Sequence, residues 1–503
     1  MGVVIRQSVK SSIVSLTGAL IAVLINYLYT LRLPKAEVGS IQFLLRLGAV
    51  LQFVILLGAG PVLFTYIGKI QDVAKRKALI SVSMLVPAAA ILILTIPYVI
   101  LREQIILLFL PEDRAFISNF FYLIPPFALF WSYMTLFESY LWSQVKVALP
   151  TFIKEVVFRV INLGLLALLW VNAISFNEFI FYLIFSHLLL AVCLLYIAVK
   201  TEAFGFSGNW KIFSLAEYKD MGSFAWYHLL SGISLYLLGY LDTFFLGLWK
   251  GFAPLAVYAM AVQIVTFMII PYRVMATATM PVLNESLVNN DRAKLENVFH
   301  RSGINIFIVA VGLFVLIACN LHNAVAILPP QYEAVTPICL ILMLGRLIDM
   351  ATGLNSEVIG LSHLYKFNFR ISIVLLICLV AFNYLLVPEY GIYGAAWGAT
   401  LSLAVFNILK FFYLSKRMDL HPFSKNTVSV LLIGIVSASV GYFLPVIPSA
   451  SESFLHHLLL VFADVAVRSM LIVLVFVLMT YKLKPSGDFN QYMDNLIRSK
   501  RLF

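Results

Sequence analysis

Residues 383–402 read NYLLVPEYGIYGAAWGATLS. They join two apolar stretches, 369–387 and 391–414, through the short polar turn that runs from Pro388 to Gly391. A helix advances about 1.5 Å per residue, so about 20 apolar residues cross a hydrocarbon core about 30 Å thick. Each flank is about that long. Gly394 and Gly398 in the second flank are four apart, a spacing that lets two backbones approach closely in lipid. The stretch therefore reads as a membrane hairpin, and the rest of the chain repeats its character.

Of 503 residues, 62% are hydrophobic and 12% charged, against about 45–50% and about 25% in an ordinary soluble domain. Mean hydropathy is +0.97. So few charges cannot cover the surface that a globule of this length leaves to water, which excludes a water-soluble enzyme. The chain reads as an all-α polytopic membrane protein. Fourteen segments pass the length test, near 11–31, 41–66, 79–100, 116–137, 149–170, 178–199, 223–249, 254–276, 303–320, 334–360, 369–387, 391–414, 427–445 and 458–481.

An even number of spans puts both termini on one side, and the basic residues test this. With the amino terminus inside, 26 of the 35 Lys and Arg residues fall on inside segments, among them Arg6, Lys10, Lys154 and Lys410. Only Arg32, Lys35, Arg102, Arg114 and Lys250 fall outside, and the remaining four, Arg46, Arg159, Arg346 and Arg468, lie within the expected spans. Such a bias marks cytoplasmic loops and cytoplasmic termini. The net charge of +11 is thereby used in anchoring, and no dense basic run points to nucleic acid. The connections 200–222 and 277–302 are expected to be short amphipathic helices lying on the inner surface.

The string YL-any-T occurs at Tyr27–Thr30 and again at Tyr240–Thr243, and Pro-Val-Leu follows at Pro61 and at Pro281. Their order suggests two pseudo-symmetric six-helix lobes, 1–200 and 223–415, joined by a cytoplasmic linker, 201–222. Residues 416–503 would add helices thirteen and fourteen and a short cytoplasmic tail. Parallel lobes of this kind bind substrate between them and expose it alternately to either side.

An ionised side chain at a helix centre costs at least about 2.5–3.5 kcal/mol, so it normally faces a bundle interior or a watery cavity. Arg46 in helix two and Asp242 in helix seven have no same-helix partner, which makes them the strongest candidates for a cavity. Arg346 and Asp349 are three apart and close enough to pair, with Glu357 two turns on; Asp464 and Arg468, four apart, read as an internal ion pair. Arginine offers a rigid fork of donors that matches phosphate oxygens, and Arg273 could join Arg46 in that role. Gln263 and Asn26 would supply polarity for sugar hydroxyls, or else hydrogen bonds between helices. Gly68-Lys69 lacks the glycine pattern of an ATP-binding loop, no spacing suggests a metal site, and no catalytic motif is present.

The hairpin quoted above resembles a signature of the bacterial polysaccharide flippase branch of the multidrug, oligosaccharidyl-lipid and polysaccharide exporter superfamily. The matching positions are Pro388, Tyr390, Gly391, Gly394, Ala395, Ala396, Ala399 and Thr400. Asp242 with Phe245–Gly247, the run Ala256–Gln263, and Pro281 with Asn284 and Glu285 extend the likeness. Thr243 stands where relatives often carry a basic residue. The resemblance implies a flippase in the bacterial inner membrane that moves undecaprenyl-pyrophosphate-linked oligosaccharide outward by alternating access. It implies no cofactor, coupling to H+ or Na+, and partners among membrane lipids, a polysaccharide polymerase and assembly proteins. By position or motif it places Arg46, Asp242, Arg346 and Asp349 in the cavity. The competing readings are a cation-coupled multidrug exporter, a peptidoglycan-precursor flippase and a non-transporting membrane scaffold.

Overall fold

The computed structural model describes the backbone of residues 2–144, 146–201, 204–362, 364–446 and 454–500. The side chains of Arg6 and Lys10, counted above among the inside charges, lie outside the described residues. Every α, π or 3-10 element among the described residues is helical, with no strand. The chain divides into two compact units, Met1–Ala256 and Val257–Phe503.

In the first unit the helices are α1 (Gly2–Arg32), α2 (Lys35–Leu56), α3 (Ala59–Ile67), α4 (Val73–Ile100), α5 (Arg102–Leu107), α6 (Arg114–Phe120), α7 (Ile124–Ser143), α8 (Ala148–Phe152), α9 (Phe158–Trp170), α10 (Phe176–Val199) and α11 (Leu215–Trp249). α12 (Phe252–Val288) begins here and continues as the first helix of the second unit. There follow α13 (Arg292–Ala326), α14 (Val335–Ala351), α15 (Asn355–Leu361), α16 (Tyr365–Met418), α17 (Lys425–Phe443), α18 (Phe454–Leu483) and α19 (Gly487–Lys500).

Local chemistry sets several of these boundaries. Ser175 with Glu178 and Ser214 with Glu217 form capping boxes, each satisfying two backbone N–H groups that a helix start leaves orphaned. Because nothing interrupts the helix after Ser214, the expected surface helix of 200–222 is instead the first turns of α11. The expected one at 277–302 is likewise divided between the end of α12 and the start of α13.

The second expected span is broken at Leu57 and Gly58, both with left-handed backbone. A Cβ at Gly58 would press on the Ala225 backbone, so glycine permits both the conformation and the approach of α11. Gly353 (φ +63°) breaks the tenth span between α14 and α15 in the same way.

Ten helical segments among the described residues are long and apolar enough to cross a membrane, so the protein is a multi-pass membrane protein. The expected fourteen is not reached on that measure. One of the ten, 367–418, contains two rods, because Gly391 (φ +55°, ψ −126°) interrupts it at the hairpin turn. At the fifth expected position a π-helical turn, 153–157, separates α8 from α9, which alone has 13 residues. At the first and seventh stand α1 and α11, of 31 and 35 residues.

In the first unit α7 is the central rod, packed by α2, α3, α4 and α10. Leu136, Tyr140, Leu190 and Leu194 are buried in its core. In the second, α13 packs on α14, α17 and α18, burying Phe307, Val311, Ile433 and Ile472. There Asp464 and Arg468, each 3% exposed, form the expected ion pair at 3.0 Å. Asn323 donates to Asp464 at 2.6 Å and Arg468 donates to the carbonyls of Gly441 and Leu444, so the pair ties α13, α17 and α18 together.

Candidate functional site

Polar groups gather in two places, one inside each unit. In the first, α2 and α11 pack side by side. Nη1 of half-buried Arg46 donates to Oγ1 of Thr243, which is fully buried. That hydroxyl in turn donates to Oδ1 of Asp242 at 3.4 Å, and the Thr243 amide reaches the same oxygen at 2.8 Å. The structure thus brings Arg46 and Asp242 together through Thr243, a residue noted in the sequence but not counted among the site candidates. Thr243 could have been found from the YL-any-T string it closes. Asn26 accepts from Gln42 Nε2 at 2.9 Å, a hydrogen bond between α1 and α2.

Residues next to these in sequence line a cavity of about 490 Å³ in the same unit: Phe43 and Leu47 flank Arg46, and Phe244 and Leu248 follow Thr243. Its other walls come from α4 to α7 and include Tyr98 and Phe109. A hydroxyl and a phenol apart, its lining side chains are apolar, so it suits hydrocarbon better than water.

In the second unit Asp349 does not pair with Arg346. Its Oδ1 accepts from Asn407 Nδ2 at 2.9 Å instead, because that face of α14 packs against α16. Among the described residues Arg346 forms no ion pair. Glu357 accepts from the Tyr272 hydroxyl at 3.0 and 3.1 Å. Lys410, counted above among the inside charges although it lies within the expected span 391–414, is 2% exposed within α16, and its Nζ donates to Ser356 Oγ at 2.8 Å. Tyr272, Asn407 and Lys410 were missed. For the last two the signal was present: a lysine three residues after an asparagine, in the apolar run FNILKFF. Arg273 is exposed and Gln263 half-buried on α12, neither side chain hydrogen-bonded to a described residue.

The hairpin residues determine how α16 folds back. Pro388 and Gly391 lie at the reversal, and a Cβ at Gly394 would collide with the Leu386 carbonyl of the first arm. Gly398 sits against Asn383, 3.4 Å from where a Cβ would stand to the amide nitrogen. Thr400 donates to the Ile341 carbonyl at 2.8 Å and lies against Gly345, locking the second arm to α14.

Among solved structures the chain is similar to the Lipid II flippase MurJ in an inward closed conformation. The TM-score is 0.70 at 13% identity, covering 94% of this chain and 98% of that one. It is also similar to an inward-facing multidrug resistance MATE family transporter of the MOP superfamily, with TM-score 0.65 at 15% identity, over 81% and 98% of the two chains. The fold is that of these transporters. In sequence it is 25% identical over 270 residues to an uncharacterized membrane protein, MJ1068, of Methanocaldococcus jannaschii, across 50% of this chain and 51% of that one. It is 32% identical over 88 residues to the capsular polysaccharide biosynthesis protein CapF of Staphylococcus aureus, across 18% and 22%. The match thus spans about half of the first relative and about a fifth of the second. The profile of the polysaccharide biosynthesis protein family matches residues 5–287, more than half of the sequence, and the chain belongs to that family.

Proposed function

We propose that the protein is a flippase that moves a polyprenyl-pyrophosphate-linked oligosaccharide repeat unit, of the undecaprenyl type in bacteria, from the inner to the outer leaflet by alternating access. The observation that carries this reading is the arrangement around Arg46. A guanidinium held on Thr243 beside Asp242 lies between sequence neighbours that line an apolar cavity. A ligand with a pyrophosphate and a hydrocarbon chain needs both, since guanidinium donors match phosphate oxygens and the cavity accepts hydrocarbon. Family membership and the likeness to CapF support a role in making surface polysaccharide.

On this reading the protein sits in the cytoplasmic membrane with both termini inside, works beside a polymerase and assembly proteins, and draws on an H+ or Na+ gradient. It performs no covalent chemistry of its own. The test is translocation of a fluorescent polyprenyl-pyrophosphate oligosaccharide in proteoliposomes, comparing wild type with Arg46→Ala and Asp242→Asn. Both variants should lose at least about tenfold in rate, the effect of about 1.4 kcal/mol on a barrier. Wild-type liposomes that move no such glycolipid would sink the proposal, and movement of drug cations instead would favour the exporter reading. The fold shared with MurJ makes lipid II a second cargo to include in the same assay.

A further inference from the structure

α19 is built unlike the rods that cross the membrane. In its sequence GDFNQYMDNLIRSK, Phe489, Tyr492, Met493, Leu496 and Ile497 recur at spacings of three and four and so share one face, while Gln491, Asp494, Asn495 and Arg498 fall on the other. Fourteen residues with a polar side of this width are too short and too polar to span a bilayer. They have the pattern of a helix that lies along a membrane surface.

The bonds at the start of α19 fix its depth. Asp488 accepts from Arg301 Nε at 3.1 Å and from Asn305 Nδ2 at 3.0 Å, and Ser486 donates to Asn305 Oδ1 at 2.5 Å. Asn490 donates to the Tyr481 carbonyl at 2.7 Å, and the Tyr481 hydroxyl donates to Asp494 at 2.6 Å. Arg301 and Asn305 bracket the start of the apolar stretch 303–320 in α13, and Tyr481 closes the stretch 458–481 in α18. Both helices are long and apolar enough to cross a membrane. α19 is therefore tied to two spanning helices at the level where each leaves the hydrocarbon.

The protein covers only part of the apolar face. Phe489 and Met493 are half-buried, whereas Tyr492 is 65% and Ile497 42% exposed. Tyrosine and aliphatic side chains held at this depth suit the headgroup layer, which accepts an apolar body and a polar tip. The charge around them has one sign in excess. From Lys482 to Phe503 the sequence carries Lys482, Lys484, Arg498, Lys500 and Arg501 against Asp488 and Asp494. Both carboxylates are engaged, by Arg301 and by Tyr481. The side chains of Lys482, Lys484 and Arg498 are exposed and hydrogen-bond to no described residue. Cations held this close to a bilayer attract anionic headgroups.

We propose that α19 is a lipid-binding surface anchor. Its apolar face lies in the headgroup layer where α13 and α18 leave the hydrocarbon, and Lys482, Lys484 and Arg498 bind the phosphates of anionic phospholipids there. The lipid covers the face that the protein leaves open and holds α19 across the ends of the two helices. This role is independent of the cargo that the protein carries.

The test uses the full-length protein, one copy per nanodisc, in phosphatidylcholine alone or in equal parts phosphatidylcholine and phosphatidylglycerol. Amide exchange in 487–498 is followed by mass spectrometry. Exchange there should be at least about tenfold slower with phosphatidylglycerol, a modest share of what three cations at a charged surface can supply. The difference should shrink at high salt. Replacing Lys482, Lys484 and Arg498 together by Gln should abolish it and leave exchange in α13 as it was. Ile497→Glu should speed exchange of α19 in both lipids. Phosphatidylglycerol with a photoactivatable group beside its phosphate should label α19 in wild type and not in the triple variant. Equal exchange in the two lipids would overturn the proposal. So would protection that appears only when two copies share a nanodisc, which would assign the face to a second copy of the chain. Melting checks that the variants are folded; should the triple variant be unstable, the salt dependence and labelling of wild type decide.

Discussion

Arg46 and Thr243 lie 197 positions apart in the sequence and are joined by a hydrogen bond from the guanidinium to the hydroxyl. Thr243 passes the contact on to Asp242 at 3.4 Å. A neutral hydroxyl thus links the guanidinium of α2 to the carboxylate of α11.

Thr243→Val keeps the shape and removes the hydroxyl. Arg46 should then either collapse onto Asp242 or lose its position, and glycolipid translocation should fall by at least about tenfold. Unfolding in detergent should register a loss of about 1–3 kcal/mol, the cost of leaving a polar group unpartnered. Translocation at the wild-type rate would mean that the link is packing alone.

The Asp464–Arg468 pair is structural. Removing one member strands the other among α13, α17 and α18, at a cost of about 3–5 kcal/mol. Arg468→Met should lower the denaturation midpoint clearly, and Asp464→Asn together with Arg468→Met should recover part of the loss. A single variant as stable as wild type would refute the assignment.

Asp113 provides a pH signature. It precedes α6, accepts the Phe252 N–H at 3.0 Å, and is pushed up from 3.8 to about 6 by burial, with Glu112 adding to the effect and the Phe252 amide opposing it. The folded protein therefore binds more protons than the unfolded chain between about pH 4 and 6. Stability contributed by the protonated form is present below that window and is lost as pH rises through it. Asp113→Asn retains an acceptor for Phe252 and should flatten this slope, worth on the order of 1–2 kcal/mol. Unfolding midpoints measured across the window check the sign.

Gly394→Ala should be poorly tolerated, since the new methyl meets the Leu386 carbonyl and forces the hairpin open. Overpacking of this kind costs about 1–3 kcal/mol. Gly68→Ala, with no neighbouring atom within 4 Å, is the control. Folded yields in detergent should separate the two variants.

α19 is held to α13 by Asp488, which accepts from Arg301 Nε at 3.1 Å and from Asn305 at 3.0 Å. Arg301 holds the Asp488 carboxyl below its ordinary range. Asp488→Asn should speed amide exchange in 487–498 and leave α13 itself protected. Unchanged exchange there would show that the apolar face of α19 suffices to hold it.

Local chemistry alone gives the class of molecule, most of its long apolar helices and the hairpin turn. Transfer from water to lipid is a property of each residue, so apolar runs declare themselves without knowledge of their neighbours. The hairpin at Pro388–Gly391 was readable because proline and glycine act on the backbone locally, and the Asp464–Arg468 pair because four residues of helix bring two side chains to one face. Helix ends were less legible: α11 and α12 run past the apolar stretch that revealed them, because capping and continuous hydrogen bonding carry a helix on into polar sequence.

Which charges meet depends on how the helices pack. Asp349 turned away from Arg346 to Asn407, Arg46 found Thr243, and Lys410, counted among the inside charges, is buried beside Ser356. The energy of a buried charge depends on partners that come from other helices, and no local pattern names them. Hydrocarbon specifies what enters the membrane, and packing specifies what each polar group faces once it is there.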